Sequence, residues 1–337
     1  MNVDCKFVNL CGTCDINYAR NCCLYSILKK GNFKLCMKNN ICPNVKVCEK
    51  AVDGSLIRSS LFNRIIPTIE DISEINFTIK KPYEKFSQAF IPRIEIGRKD
   101  YEEQVEVFNI LNINTIAVSL RRLLSRKIKY LIKKSYLKDL HETVKFDGKI
   151  MLITTVHDYY CIKLMNKIDQ YLDELKILNP DIITTFDANF YLDQPLFITA
   201  IQTFNILKAN EKIKDVDIAQ VAIIPPSPKQ FFKPTLETFL NINYKTICIP
   251  LAELNKEKNK YRDIIIKEIK KFKSMKNYNF EYLLLSTSPS SKYFADCYST
   301  LSWYIKRKTA IFSSKKNYWT NKLKKYQLII ENKRKQK

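Results

Sequence analysis

Glycine is scarce in this chain. Its 337 residues include five, at positions 12, 31, 54, 97 and 148, with none afterwards. A P-loop or a dinucleotide-binding turn needs several backbone positions without Cβ atoms pressed against phosphate, so kinases, P-loop ATPases and Rossmann dehydrogenases are excluded. Long apolar runs are also missing. No stretch reaches the roughly 18 apolar residues of a membrane span. The start, Met1-Asn2-Val3-Asp4-Cys5, lacks the charged-then-apolar run of a secretory signal. A cytoplasmic setting without a membrane partner is expected. Acidic residues are few as well: 34 Asp and Glu face 57 Lys and Arg, for a net charge of +23.

Cysteine is plentiful and unevenly placed. Eight of the eleven fall in the first 48 residues: Cys5, Cys11, Cys14, Cys22, Cys23, Cys36, Cys42 and Cys48. In a cytosolic setting clustered cysteines are more often metal ligands than disulfides. Cys11 and Cys14 have the C-x2-C spacing that lets one tight turn offer two thiolates to one ion. Four of the eight suffice for a zinc ion or a [4Fe-4S] cluster, and all eight for two sites. With histidine limited to positions 141 and 157 the ligand set is all sulfur, which suits both metals. Reduced cysteines that merely cluster are the alternative. A metal here is expected to be structural, because a short module without its own core gains folding energy from coordination.

From residue 90 onward short β-branched runs alternate with segments of helical period: 90–96, 115–119, 149–155, 181–185, 216–224, 246–250, 282–286 and 297–299. Eight strand candidates separated by crossover-length helices predict an α/β fold, a (β/α)8 TIM-like barrel, with a doubly wound open sheet as the rival. The expected organisation is a cysteine-rich metal-binding module over 1–50, a connector over 51–88, the barrel over 89–303 and a basic, aromatic-rich C-terminal tail over 304–337.

A barrel builds its site from the loops that follow its strands. Those positions hold Glu95 and Arg98, Arg121 and Arg122, His157 and Asp158, Asp187 and Asn189, Ser227 and Lys229, Glu253, Ser286 and Ser288, and Ser299 and Ser302. Asp187, emerging after Asp181–Thr185, can accept hydrogen bonds from the ring and exocyclic N–H groups of a heterocycle, or act as base or nucleophile. Capping the next helix is the plainer use of an Asp there. His157 and Asp158 can move a proton, or stand as surface polar residues.

The positive charge is segregated. Residues 1–50, 121–138 and 304–337 carry +5, +8 and +11, which leaves −1 for the other 235. Residues 121–138 read as a helix with an apolar stripe and a cationic outer face bearing Arg121, Arg122, Arg126, Lys127, Lys133 and Lys134. The tail mixes cations, among them Lys324 and Lys325, with Tyr304, Tyr318, Trp319 and Tyr326, a combination suited to phosphates and unstacked bases. Solvated lysines from a Lys-, Ile- and Asn-rich composition are the alternative.

Two segments resemble a known family. Pro180-Asp181-Ile182-Ile183-Thr184-Thr185-Phe186-Asp187, with Tyr191 and Pro195 beyond, is similar to the D-I-x-x-x-x-D segment of tRNA-guanine transglycosylases and their DNA-modifying relatives. Ala295-Asp296-Cys297-Tyr298-Ser299-Thr300-Leu301-Ser302-Trp303 resembles the family's x-D-S-F-D-S-x-S-W strand. The resemblance implies a (β/α)8 barrel that exchanges a purine for a 7-deazapurine in tRNA or DNA through a covalent Asp–sugar intermediate. It would make Asp187 the base-holding carboxylate and give Asn189, Ser299 and Trp303 substrate contacts. The chain departs from the pattern at the nucleophile, where Ser299 stands, and around Ile153–Tyr159, which lacks the family's glycines and offers only Asp158. The family's tRNA branch also carries its zinc site after the barrel, whereas the cysteines here precede it.

The expected activity is therefore base exchange on nucleic acid by a pentosyltransferase. Asp187 would recognise the base, Asp296 or Asp158 would attack the anomeric carbon or move the proton, and His157 would assist. The alternatives are a non-catalytic nucleic-acid-binding subunit that supports an active partner, as a heteromer or homodimer, and an Fe-S redox or radical enzyme.

Overall fold

The computed structural model describes residues 69–98, 100–125, 130–156, 158–187, 196–227, 229–251, 259–275, 278–285, 289, 293, 295–300 and 315–335. Outside them lie the cysteine module with Cys5, Cys11, Cys14, Cys22, Cys23, Cys36, Cys42 and Cys48, and also Arg126, Lys127, His157, Asn189 and Trp303.

Eight strands, β1 (Phe90–Ile94), β2 (Thr115–Ser119), β3 (Lys149–Ile153), β4 (Ile182–Thr184), β5 (Ala219–Ile223), β6 (Thr246–Pro250), β7 (Glu281–Leu285) and β8 (Cys297–Thr300), pair in parallel in that order. β1 then pairs with β8 through Phe90↔Tyr298, Ile91↔Ser299 and Pro92↔Thr300, which closes the sheet and excludes the open-sheet rival. The strands are rich in Ile, Val and Leu because both faces are covered. Ile91, Ala117, Met151, Val221, Cys248 and Leu283 point into the barrel. Their neighbours Ile94, Ile116, Leu152, Ile183, Ile249 and Tyr298 pack outward against the helices.

The helices follow the strands: α1 (Ile69–Ser73) precedes β1, α2 (Tyr101–Ile110) follows β1, and α3 (Leu120–Leu123) and α4 (Leu140–Val144) follow β2. α5 (Asp158–Asn166) and α6 (Ile168–Leu178) follow β3, and then come α7 (Leu196–Lys212), α8 (Lys229–Asn241), α9 (Asn259–Ser274) and α10 (Lys315–Lys335). Where glycine would usually turn the chain from helix to strand, asparagine does so at three turns and Lys145, with φ of 57°, at a fourth. Asn112, Asn179 and Asn243 adopt φ of 50°, 48° and 80°, the left-handed region that asparagine tolerates best after glycine.

The strand beginnings are fastened by side chains. Asp181, one residue before β4, accepts the N–H of Ile150 on β3 at 2.7 Å and lies 3.0 Å from His141 Nε2. Asp296, one residue before β8, repeats this arrangement: it accepts the N–H of Tyr282 on β7 at 3.0 Å and an N–H of the Lys273 ammonium at 2.5 Å. Gln88 joins β1 to β2 by accepting the N–H groups of Asn114 and Thr115 at 2.8 and 3.1 Å. The same end is plugged by Tyr83 and Phe86, whose ring centroids are 4.6 Å apart and which pack onto the interior residues. Tyr83 donates its N–H to Gln220 O at 3.0 Å, and Phe86 donates its own to Glu281 Oε2 at 3.2 Å.

The helix expected over 121–138 is not formed. Among the described residues of this stretch α3 is the one α-helix; Leu124 then bridges Ile132 in antiparallel fashion, and a 3-10 turn covers Lys134–Tyr136. The apolar residues that suggested one stripe, Leu123, Leu124, Leu131 and Ile132, lie on the two limbs of a folded-back loop. Lys163 of α5 holds that loop by donating to the carbonyls of Ser125 and Tyr130, and Glu174 of α6 accepts the Ile132 N–H at 2.9 Å. The charged segment at the C-terminus behaves differently again. Trp319, Leu323, Tyr326 and Ile330, spaced along one face of α10, are buried, and the Tyr326 ring meets Phe90 of β1 edge-on at 5.1 Å. Trp319 and Tyr326 are therefore core residues that cannot stack on a base, while Lys324 and Lys325 stay exposed on the opposite face.

Because Trp319 is only 1% exposed, Trp319→Ala is expected to destabilise the barrel by about 3–5 kcal/mol, read as a lower urea midpoint at unchanged slope. A mere weakening of nucleic-acid binding with no loss of stability would mean that α10 is an appendage.

Candidate functional site

In a closed parallel barrel every strand ends at the same mouth. There β4 delivers Asp187. Its approach is fixed by Thr185, which donates its N–H to Val221 O at 2.9 Å and accepts the Ile223 N–H on its hydroxyl at 2.7 Å. Phe186 adds a third tie by donating its N–H to Asn210 Oδ1 at 2.9 Å. The carboxylate is thus held on a rigid wall, only 6% exposed.

Arg93, two residues beyond the inward-facing Ile91 on β1, also faces the interior. Its Nη2 donates to Ser119 Oγ at 2.9 Å. Cys248 on β6 senses both charges: burial pushes its thiol well up, the Asp187 carboxylate pushes it further, and Arg93 opposes them. Ser299, two residues beyond the inward-facing Cys297 on β8, is fully buried, and its Oγ has no hydrogen-bond partner among the described residues. Ser299 pairs with Ile91 and Ala117 pairs with Arg93, so Ser299, Arg93 and Ser119 climb diagonally across β8, β1 and β2. The interior at this end of the barrel therefore carries a guanidinium, hydroxyls and a carboxylate, groups that can donate to carbonyl and accept from N–H edges.

Above Arg93 on the same strand line lies Glu95. Its Oε2 accepts from Arg98 Nη1 at 3.1 Å and from Arg122 Nη2 at 2.8 Å. Burial alone would raise the Glu95 carboxyl, but the hydrogen bonds and charges of Arg122 and Arg98 outweigh it and hold the group below its ordinary value. Between Glu95 and Arg98 the chain turns at Gly97, where φ is +83° and an added Cβ would lie 2.5 Å from the Tyr136 hydroxyl. Lys133 donates to Arg122 O at 2.8 Å, and Arg121, Lys133 and Lys134 are exposed.

Of the residues expected at the site, Asp187, Ser299, Arg121 and Arg122 lie at or just below the mouth, and Asp158 opens α5 on the same side. Asp296 does not. It precedes its strand, so it belongs to the plugged end, about 15 Å of strand away, and its carboxylate is engaged by Tyr282 and Lys273. An attack by Asp296 on a ligand held by Asp187 is therefore withdrawn. Arg93 and Ser119 were missed. Their signal was parity: a charged residue two positions after Ile91, inside an otherwise apolar strand, has to face inward. Among the described residues no cluster of three or more His, Cys, Asp or Glu could hold a metal ion, and no helix is long and apolar enough to cross a membrane.

No protein-family model matches the chain, and no curated protein does. A solved structure described as native KDPGal is similar over 73% of this chain and 98% of its own length, at 10% identity and a TM-score of 0.40. A likeness that distant carries no argument about activity.

Two outcomes follow from the charges. Glu95 has a depressed carboxyl, so its contribution to stability is present above the unfolded-state value and is lost as the pH falls through the folded one. The stability gap between the wild type and Glu95→Gln should be constant above about pH 5 and shrink on further acidification. Asp296→Asn should lower stability by about 1–3 kcal/mol in urea unfolding, with ligand binding at the mouth retained; loss of binding at unchanged stability would restore Asp296 to the site.

Proposed function

We propose that the barrel receives a single unstacked base of a nucleic acid in its mouth and exchanges it, in the manner of the transglycosylases that its two motifs resemble. The observation that carries this reading is that buried Asp187 and Arg93, both acting on the interior Cys248, lie at the barrel end where Arg121, Arg122, Lys133 and Lys134 are exposed. A base inside a duplex cannot reach such a recess, so it must be flipped or already single-stranded. Asp187 accepts its N–H edge, while Arg121, Arg122, Lys133 and Lys134 neutralise flanking phosphates. With Asp296 on the far end, Asp158, at the start of α5, would make the attack. Its oxygen would bond the anomeric carbon as the glycosidic C–N bond breaks and the leaving base takes up a proton from solvent, to which the incoming base later gives up its own ring N–H proton. The incoming base would then displace the carboxylate. The N-terminal thiolates, led by Cys11 and Cys14, would hold a structural zinc ion or a [4Fe-4S] cluster, a choice that metal analysis with an anaerobic absorption spectrum decides.

A second reading, a binding subunit without chemistry, is favoured by Ser299, a fully buried hydroxyl where the resembling family has its nucleophile. Both are tested by following release of a labelled base from tRNA and DNA alongside binding of the same substrates. The exchange reading expects turnover in the wild type that falls by at least about 100-fold in Asp187→Ala, with affinity for nucleic acid largely kept. Binding without turnover selects the second reading, and neither binding nor turnover overturns both.

A further inference from the structure

The rim has a feature that general affinity for polyanions does not require. Surface arginines usually reach into solvent singly, or pair with exposed carboxylates of little energetic weight. Here one nearly buried carboxylate, Glu95, grips two guanidiniums by the same oxygen, while the arginine side chains remain 42% and 47% exposed. With bonds of 3.1 and 2.8 Å to that oxygen, the two nitrogens lie within about 6 Å of each other. Both guanidiniums are thus drawn together by this one carboxylate. The Lys133 ammonium, bonded to Arg122 O at 2.8 Å, adds a third cation, and residues 121–138 contain no acid to offset it. Two half-exposed guanidiniums and an ammonium held this close suit an anion with several oxygens, and an arginine fork matches phosphate geometry.

We propose that Arg98 and Arg122, set by Glu95 and assisted by Lys133, form a clamp for one phosphodiester group at the barrel mouth, with Glu95 as the positioning residue. The inference rests on the nucleic-acid reading above and narrows it to one nucleotide. Glu95 is two residues past Arg93, a rise of about 7 Å along the strand, comparable to the span between a base and the phosphate of its own nucleotide. The clamp would then hold the backbone of the nucleotide whose base enters above Arg93 and Asp187. Gly97 belongs to the same device: its left-handed turn brings Arg98 back to Glu95, and a Cβ there would be strained by the dihedral angle and would press on the Tyr136 hydroxyl.

The test is binding of a labelled single-stranded oligonucleotide to the full chain between about 50 and 200 mM salt, where each neutralised phosphate contributes a log–log slope of about 0.7. Arg98→Ala and Arg122→Ala should each make the slope shallower by nearly that amount, and the double variant should add little, since both serve one phosphate. Additive losses would mean two independent contacts and overturn the clamp, as would unchanged slopes. Glu95→Gln separates positioning from charge. It raises the net charge by one, so a purely electrostatic rim binds tighter, whereas the clamp binds about 10-fold weaker. Should an alanine variant fail to fold, Arg122→Lys keeps the charge without the fork and is expected to weaken binding to a similar degree; full affinity there overturns the proposal. Lys324→Ala with Lys325→Ala, on α10, should leave the clamp's share of the slope intact. Calorimetry with inorganic phosphate distinguishes the two levels of the argument. Phosphate bound by the wild type and lost in the double arginine variant, in a protein that ignores oligonucleotides, would keep the clamp and overturn the nucleic-acid reading. Oligonucleotide binding that is indifferent to Glu95, Arg98 and Arg122 would do the reverse.

Discussion

The seam between β1 and β8 is the joint on which the structure depends. Seven of the eight strand pairings join neighbours in the chain, but this one joins residues about two hundred positions apart, and without it the sheet would expose two edges of unpaired backbone. Three pairs make the seam, and α10 covers it with Tyr326 against Phe90. A helix whose composition suggests a solvated basic arm is thus recruited to the closure by four apolar side chains on one face. Its lysines remain outside because a helix can bury a stripe and solvate the rest.

Closure also divides labour between the two ends. At the strand beginnings, Asp181 and Asp296 occupy equivalent places half a barrel apart, each tying the preceding strand's second N–H to a basic side chain. Together with Gln88 and the Tyr83–Phe86 plug they make that end a fastening. At the strand ends the buried positions are polar instead, with Arg93, Ser119, Asp187 and Ser299 among them. The two aspartates of the D-I-x-x-x-x-D segment illustrate the split: Asp181 fastens β4, and Asp187, six residues on, reaches the mouth.

How much of this was legible in the sequence depended on how local each signal is. The eight strands could be read within a residue or two at most ends, because β-branched runs bounded by Asn, Pro and charged residues report burial on both faces. The mouth positions followed from strand ends alone, which is why Glu95, Arg98, Arg122 and Asp187 were all found, although the sharing of Glu95 by two arginines was not. The 121–138 loop misled because Leu123, Leu124, Leu131 and Ile132 keep helical spacing while facing each other across a turn, and the groups that decide the matter, Lys163 and Glu174, are some 30 to 50 residues away. Asp296 misled for a topological reason. A motif match fixes a position in sequence, but the end of the barrel is set by whether a residue precedes or follows its strand.

The dearth of glycine has a consequence for which parts of the surface tolerate change. At the helix-to-strand turns, where asparagine already adopts the left-handed conformation, substitution by glycine relieves strain and by other residues adds only a modest cost. The loop after β1 has no such latitude, because Gly97 is confined both by its dihedral angle and by the hydroxyl of Tyr136. The loop after β1 is consequently less forgiving of mutation than the turns at the end that holds the fold together, a reversal of the usual arrangement in which loops vary freely over a fixed scaffold.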